Sequence, residues 1–393
     1  MIVFLCARLL YMNHTLTATS ASLDATVACA EISGQLNVSD FHSAFILIFC
    51  SSQYDLSQLA TKLQQQFPHT PCFGCTTAGE FAKDGYKRET IVAVSFSSEY
   101  FIFSSALVTN LKEFDVVSAK ELMNDLNARL VVGQEDDFVP NNFVLSLVDG
   151  LSSKEEEFLL NIDSAMSGIP HFGGSAGDDQ MLNNTYVLYD GKFHDSAAVI
   201  INVHSTLKFR VFTVNHIAES LGKLVVTDAD PATRQVFEIN AEPAAQVYAD
   251  LVGKTVETLE PDDFALYPLA VKVGNEYYIR SIQRATDAFH SLSFYCAVDI
   301  GIVLNKVSLR SINDGLHEKL SELQSELGKP AMVLGMDCFL RRVEVEHKGL
   351  CNETKELHQQ YNIVGFNAYG EHIKGIHLNQ TFTGVYLSEE THG

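Results

Sequence analysis

Apolar residues occur along this chain in short bursts whose period changes. Residues 45–50, Phe-Ile-Leu-Ile-Phe-Cys, form an unbroken run of strand length. Over 54–67, Leu56, Leu59, Leu63 and Phe67 recur at helical spacing, which predicts an amphipathic helix. Pro71 then precedes Cys72-Phe73-Gly74-Cys75-Thr76-Thr77-Ala78-Gly79-Glu80. Its glycines and small polar residues predict a tight loop.

The same order returns further on. Residues 143–150 read as a strand, and 153–168 as a helix with an acidic first turn that ends at Gly168. Pro170 then precedes His171-Phe172-Gly173-Gly174-Ser175-Ala176-Gly177-Asp178. Phe45 to Phe73 is 28 positions and Phe143 to Phe172 is 29. Each unit is followed by a pair of apolar runs, at 90–108 and 197–215. The pattern predicts a mixed α/β (α+β) fold. An N-terminal domain over 36–222 holds two tandem β-α-β-β-β units, preceded by an extension over 1–35. Within that extension Met12 is expected to be the true start.

Residues 223–393 have a different texture and are expected to form a C-terminal α+β domain. Leu316, Leu320, Leu323 and Leu327 predict a helix capped by Asn313 or Asp314. Residues 268–282 predict a hairpin around Gly274-Asn275. Residues 330–342 read as a buried strand, 344–361 as helix broken near Gly349, and 362–387 as two strands. The Gly-x4-Gly-Glu spacing of Gly74, Gly79 and Glu80 returns at Gly365, Gly370 and Glu371. No Pro-, Gly- or Ser-rich linker separates the halves, so they are expected to pack on each other.

Composition narrows the function. At 393 residues and 46% hydrophobic, the chain can bury sizeable cores. Its 27 basic and 49 acidic residues give a net charge of −22, which argues against nucleic acid and anionic lipid as partners. No run reaches the ~18 apolar residues of a membrane helix, so no membrane insertion is expected. The eight cysteines are scattered, several inside apolar runs. That fits reduced thiols in a cytoplasm.

Sharper motifs fail on their neighbours. A phosphate loop needs Lys and a hydroxyl after its second glycine; Glu80 and Phe81 follow Gly79. Cys72 and Cys75 form C-x-x-C, but no second pair supports zinc, and the glycine-threonine run is a poor helix start for a redox pair. Gly173-x-Ser175-x-Gly177 matches a nucleophile elbow, which must run from strand directly into helix. The residues that follow predict no helix.

Residues 73–81, 172–179 and 365–372, the last followed by His377-Leu378-Asn379-Gln380-Thr381-Phe382-Thr383-Gly384, resemble the FIST family over about residues 36–387. Residues 216–249 and 336–346 look more narrowly like its stand-alone nitric oxide-sensing branch, NosP. His372 departs from an expected glutamine and Ala241 from an expected glycine. The resemblance implies a cytoplasmic bacterial sensor, not an enzyme, that binds haem b and responds to nitric oxide. It would control a histidine kinase, diguanylate cyclase or phosphodiesterase in trans; a homodimer stays open. Gly74, Thr76, Gly79, Gly173, Ser175, Gly177, Gly365 and Gly370 would line the pocket.

A haem ligand presents one imidazole nitrogen to iron while the other is fixed by a hydrogen bond. His216, at the end of an apolar strand, is the first choice and His377 the second; His171 sits in the second motif. Tyr369 and Arg341 are weaker pocket candidates, Arg341 toward a propionate. His14, His347, His358 and His392 are expected to face solvent. Two rivals remain: a metal-free module for an amino-acid-like ligand, and a hydrolase using Ser175 or Cys75.

Overall fold

The structure is a computed structural model that describes residues 13–131, 141–179, 181–286 and 290–392; the proposed Met12 start lies outside them. One chain order occurs three times. The first repeat runs strand Thr15–Ser20, helix Ala25–Leu36, strand Ser43–Ser51, helix Leu56–Gln66, strand Cys72–Thr77, a hairpin of Glu80–Ala82 and Gly85–Lys87, and strand Ile91–Ser97. The second runs from Phe101–Val108 through Val116–Val131, Asn142–Val148, Glu155–Ala165, His171–Ser175 and the hairpin Val187–Tyr189 with Lys192–His194 to Ala198–Ser205. The third begins at Leu207–Val214 and resumes at helix Ile312–Leu327. It continues through Pro330–Cys338, two helices, Ile363–Ala368 and the hairpin Glu371–Ile373 with Ile376–Leu378 to Phe382–Thr391. The spacing pattern therefore marked two of three units. It missed the strand and helix that open the first and the helix Val116–Val131 of the second, and it assigned the second's opening strand Phe101–Val108 to the end of the first. Residues 15–36, expected inside an extension, are the opening strand and helix of the first repeat.

Each repeat builds most of one six-stranded sheet. Its two central strands run parallel: Ile46 faces Cys72, Val144 faces His171 and Val333 faces Ile363. The far edge is borrowed. The second repeat's hairpin pairs with Cys72–Thr77, the third's with His171–Ser175, and the first's with Ile363–Ala368. The hairpins are thus exchanged in a ring. The inner faces of the three sheets share one core, including Phe49, Phe143, Leu334 and Phe366. The helices cover the outer faces. Each fully buried Leu or Phe contributes about 1.5–3 kcal/mol, so this shared core binds the repeats together.

The third repeat is interrupted by an insertion with its own core around Val226, Tyr248, Phe264 and Leu304. It leaves at His216 and returns at Arg310, whose N–H donates to His216 O at 2.8 Å. Residue 222, expected as a domain boundary, lies inside the strand Ile217–Asp230. The Gly274 hairpin is present. Other expectations change. The strand at 330 ends at Cys338, and Phe339–His347 is helical, with Arg341 paired one turn back to Asp337. Helix Ile312–Leu327 is capped by Ser311. Residues 363–391 hold four strands, not two.

Candidate functional site

The glycine-marked motifs are buried strands, not loops. Gly74, Gly173 and Gly365 sit where a Cβ would come within 1.7, 2.0 and 1.7 Å of Ile48 O, Ser146 O and Gly335 O on the neighbouring parallel strand. Glycine is required there for close approach of two backbones. Only beyond the strand, at Gly79 with φ 128°, does the first motif need a turn residue.

The strand ends lock into one another. Gly177 N–H donates to Thr76 O at 3.0 Å, Asn367 N–H to Gly79 O at 2.7 Å, and Ser175 N–H to Gly370 O at 2.8 Å. Tyr369 N–H donates to Ser175 O, and its hydroxyl donates to Asp178. Thr76, Gly79, Ser175, Gly177, Tyr369 and Gly370 therefore fill the junction with each other rather than lining a chamber. Glu80 is buried there and accepts from Thr77 and Thr90.

At the opposite ends of the central strands lie three cavities of about 660, 730 and 710 Å³. They occupy equivalent places, where one repeat's strand, its borrowed hairpin and the next repeat's first strand converge. Their chemistry differs. In the first sheet the residues flanking Gly74 are Ile48 and Leu188; in the third, those flanking Gly365 are Gly335 and Phe81. In the second, Gly173 lies between Ser146 and His372, and His171 stands where the others have Cys72 and Ile363.

These polar residues form a continuous chain. His171 Nε2 lies 2.8 Å from Ser146 Oγ, which lies 3.1 Å from His372 Nδ1. His372 Nε2 lies 2.9 Å from Ser175 Oγ. His171 is 1% exposed, lines the 730 Å³ cavity, and its Nδ1 has no hydrogen-bond partner among the described residues. Burial pushes His171 down to about 3 and His377 to about 4. Burial, then His377 and His171, hold His372 well below the usual range. All three are neutral near pH 7. His377 packs 5.8 Å from His372 between ring centroids and against Gly370, with neither ring nitrogen partnered among the described residues.

His216 and Arg341 meet elsewhere. His216 Nε2 lies 2.7 Å from Glu344 Oε2, and Arg341 Nη1 lies 3.1 Å from His216 Nδ1. A guanidinium only donates, so Nδ1 accepts and Nε2–H donates to Glu344. Arg341 also grips Asp337 at 2.6 Å, and Lys348 grips Glu344 at 2.6 Å. This buried network clamps the root of the insertion to helix Phe339–His347.

The FIST N domain model matches residues 44–242 and the FIST C domain model residues 244–374. The chain belongs to the FIST family. FIST domains are sensory domains of signal transduction. An uncharacterised protein of Methanocaldococcus jannaschii is 21% identical over 382 residues, spanning 87% of this chain and 73% of that protein.

The residues chosen for haem in this FIST chain do not fit one as they stand. Both nitrogens of His216 are engaged, and Arg341 holds Asp337 instead of facing open space. His377 has free nitrogens but is pressed against Gly370, so no flat macrocycle has room there. Among the described residues no cluster of metal-ligating side chains is present, and no helix is long and apolar enough to cross a membrane. Of the histidines expected at the surface, His358 is fully buried against Phe81 and Tyr86. Ser146 escaped the sequence reading because a lone serine in an apolar strand carries no signal. His372 stood out as a departure, but its partners lie 226 and 197 positions away.

Proposed function

We propose that this FIST protein senses a small polar ligand in the cavity at His171, without metal, and relays occupancy to the strand junction. The observation that carries this reading is the chain His171–Ser146–His372–Ser175, present at one of three equivalent junctions. Arg210 and Lys374 line the cavity with Asp163, which suits an amino-acid-like zwitterion. Each neutral imidazole donates at one nitrogen and accepts at the other, so the chain has two polarities. A ligand that accepts from His171 Nδ1 selects one; a ligand that donates selects the other. Reversal reaches the Ser175 hydroxyl, whose backbone binds Gly370 and Tyr369. The shift is bounded by the ligand's differential affinity for the two states.

The test is thermal unfolding with a panel of free amino acids. At least one should raise the melting temperature of the native protein and leave His171→Ala unmoved. No response across the panel, or an equal response in the variant, would sink the reading.

Haem b with nitric oxide is the second reading, motivated by the two free nitrogens of His377. It requires the hairpin Glu371–Leu378 to leave Gly370. Absorption spectra after supplying haem, with and without nitric oxide, decide it: a Soret band lost in His377→Ala supports it. Under either reading a histidine kinase or cyclic-di-GMP enzyme acting in trans is the proposed partner, in a cytoplasmic setting. We propose no catalysis, because Ser175 is 1% exposed; labelling of Ser175 by a fluorophosphonate would contradict this.

A further inference from the structure

The insertion breaks the threefold order of the chain and carries a surface unlike the rest of it. Val225, Val273, Ile300 and Val303 are 41%, 59%, 57% and 41% exposed. Val225 and Val303 face each other across adjacent strands. Val273 and Val303 line a groove of about 660 Å³ together with Val271, Tyr277 and Ile302, and Val225 adjoins it through its pairing with Val303. Lys223, Lys272 and Arg280 line the same groove against a single acid, Asp299. Three cations to one anion inverts the balance of the whole chain, which has 27 basic and 49 acidic residues. Exposed apolar side chains beside charges of one sign mark a docking surface.

We propose that this groove docks an acidic segment of a partner protein. Apolar side chains of that segment seat on Val225, Val273 and Val303, and its carboxylates face Lys223, Lys272 and Arg280. Charge complementarity selects this occupant. A second copy docking the same face about a twofold axis would bring like charges together. An anionic bilayer would meet three local cations but repel a chain of net charge −22. The inference does not rest on the ligand reading at His171, because the groove lies wholly within the insertion.

Fluorescence anisotropy on the full chain tests it with two labelled peptides. One is an amphipathic peptide of Glu-Glu-Leu-Leu blocks; the other has Lys in place of Glu. The native protein should bind the acidic peptide and not the basic one. The double variant Lys223→Glu/Lys272→Glu should lose about tenfold or more in affinity, and so should Val303→Asp. Thermal melting checks that both variants stay folded. Binding of neither peptide, preference for the basic peptide, or equal binding by the variants would overturn the proposal. So would co-sedimentation with phosphatidylglycerol vesicles that the same variants abolish, which would assign the groove to a membrane.

Discussion

Ser175 Oγ lies 2.9 Å from His372 Nε2, although 197 positions separate the two residues. Ser175 ends the third strand of the second repeat, and His372 sits on the hairpin that the third repeat lends to that sheet. The contact exists because the hairpins are exchanged. Any ligand that reorients this bond therefore acts on the joint between two repeats, not inside one.

The hydroxyl of Ser146 serves both His171 and His372, so Ser146→Ala should leave two buried ring nitrogens without a partner. An unsatisfied buried polar group costs about 1–3 kcal/mol. Urea unfolding should show a loss of that size, together with loss of the ligand-induced rise in melting temperature. A variant as stable as the native protein would mean that the serine is incidental.

Gly173→Ala should be far more damaging than its small volume suggests. Its Cβ would lie 2.0 Å from Ser146 O and 2.5 Å from Ser146 Oγ, and backbone cannot give way cheaply. A loss of about 3 kcal/mol or more is expected, or no soluble protein. Gly34, in the last turn of helix Ala25–Leu36, has open space around its Cβ position. Gly34→Ala should instead stabilise by about 0.5–1 kcal/mol. Equal effects of the two substitutions in chemical denaturation would contradict the close-approach account.

The legible parts of this fold were those with local periodicity. Leu56, Leu59 and Leu63 announced their helix, and the Phe-Gly motifs announced a repeat. The third copy was visible only as Gly365, Gly370 and Glu371, because an insertion of more than ninety residues separates its first strand from its first helix. The glycines misled in a specific way. A glycine that admits a neighbouring strand looks, in sequence, like one that turns a loop. His216 was singled out for its place at a strand end, and what occupies its nitrogens, Arg341 and Glu344, lies more than 120 positions away. Side-chain partners at that range leave no mark on spacing.

Arg341 holds Asp337 at 2.6 Å and His216 at 3.1 Å, all three buried. Arg341→Met should leave a buried carboxylate with one hydroxyl partner, Tyr86, and should cost about 3–5 kcal/mol. Because His216 roots the insertion, hydrogen exchange should rise in residues 217–286 and 290–309 before the three-sheet core. Uniform loosening across the chain would show that the network does not clamp the insertion.

Stability should pass through a maximum on the acid side of neutrality. Burial holds Glu80 up to about 8 and Glu371 well above its usual range. Unfolded carboxyls titrate near 4.5. Between 4.5 and 8 the folded chain keeps a proton on Glu80 that the unfolded chain releases, so stability falls as pH rises. The buried imidazoles act in reverse. Below their usual 6.5, the unfolded chain takes up protons that folded His171 and His377, held near 3 and 4, refuse; stability therefore falls as pH drops. Above 6.5 only the carboxyl limb remains, with a slope of up to about 1.4 kcal/mol per pH unit for each retained proton. Glu80→Gln mimics the neutral acid and should flatten that limb by one proton's share. Urea unfolding from pH 6.5 to 8 measures it, and an unchanged slope in the variant would show that Glu80 is ionised in the folded protein.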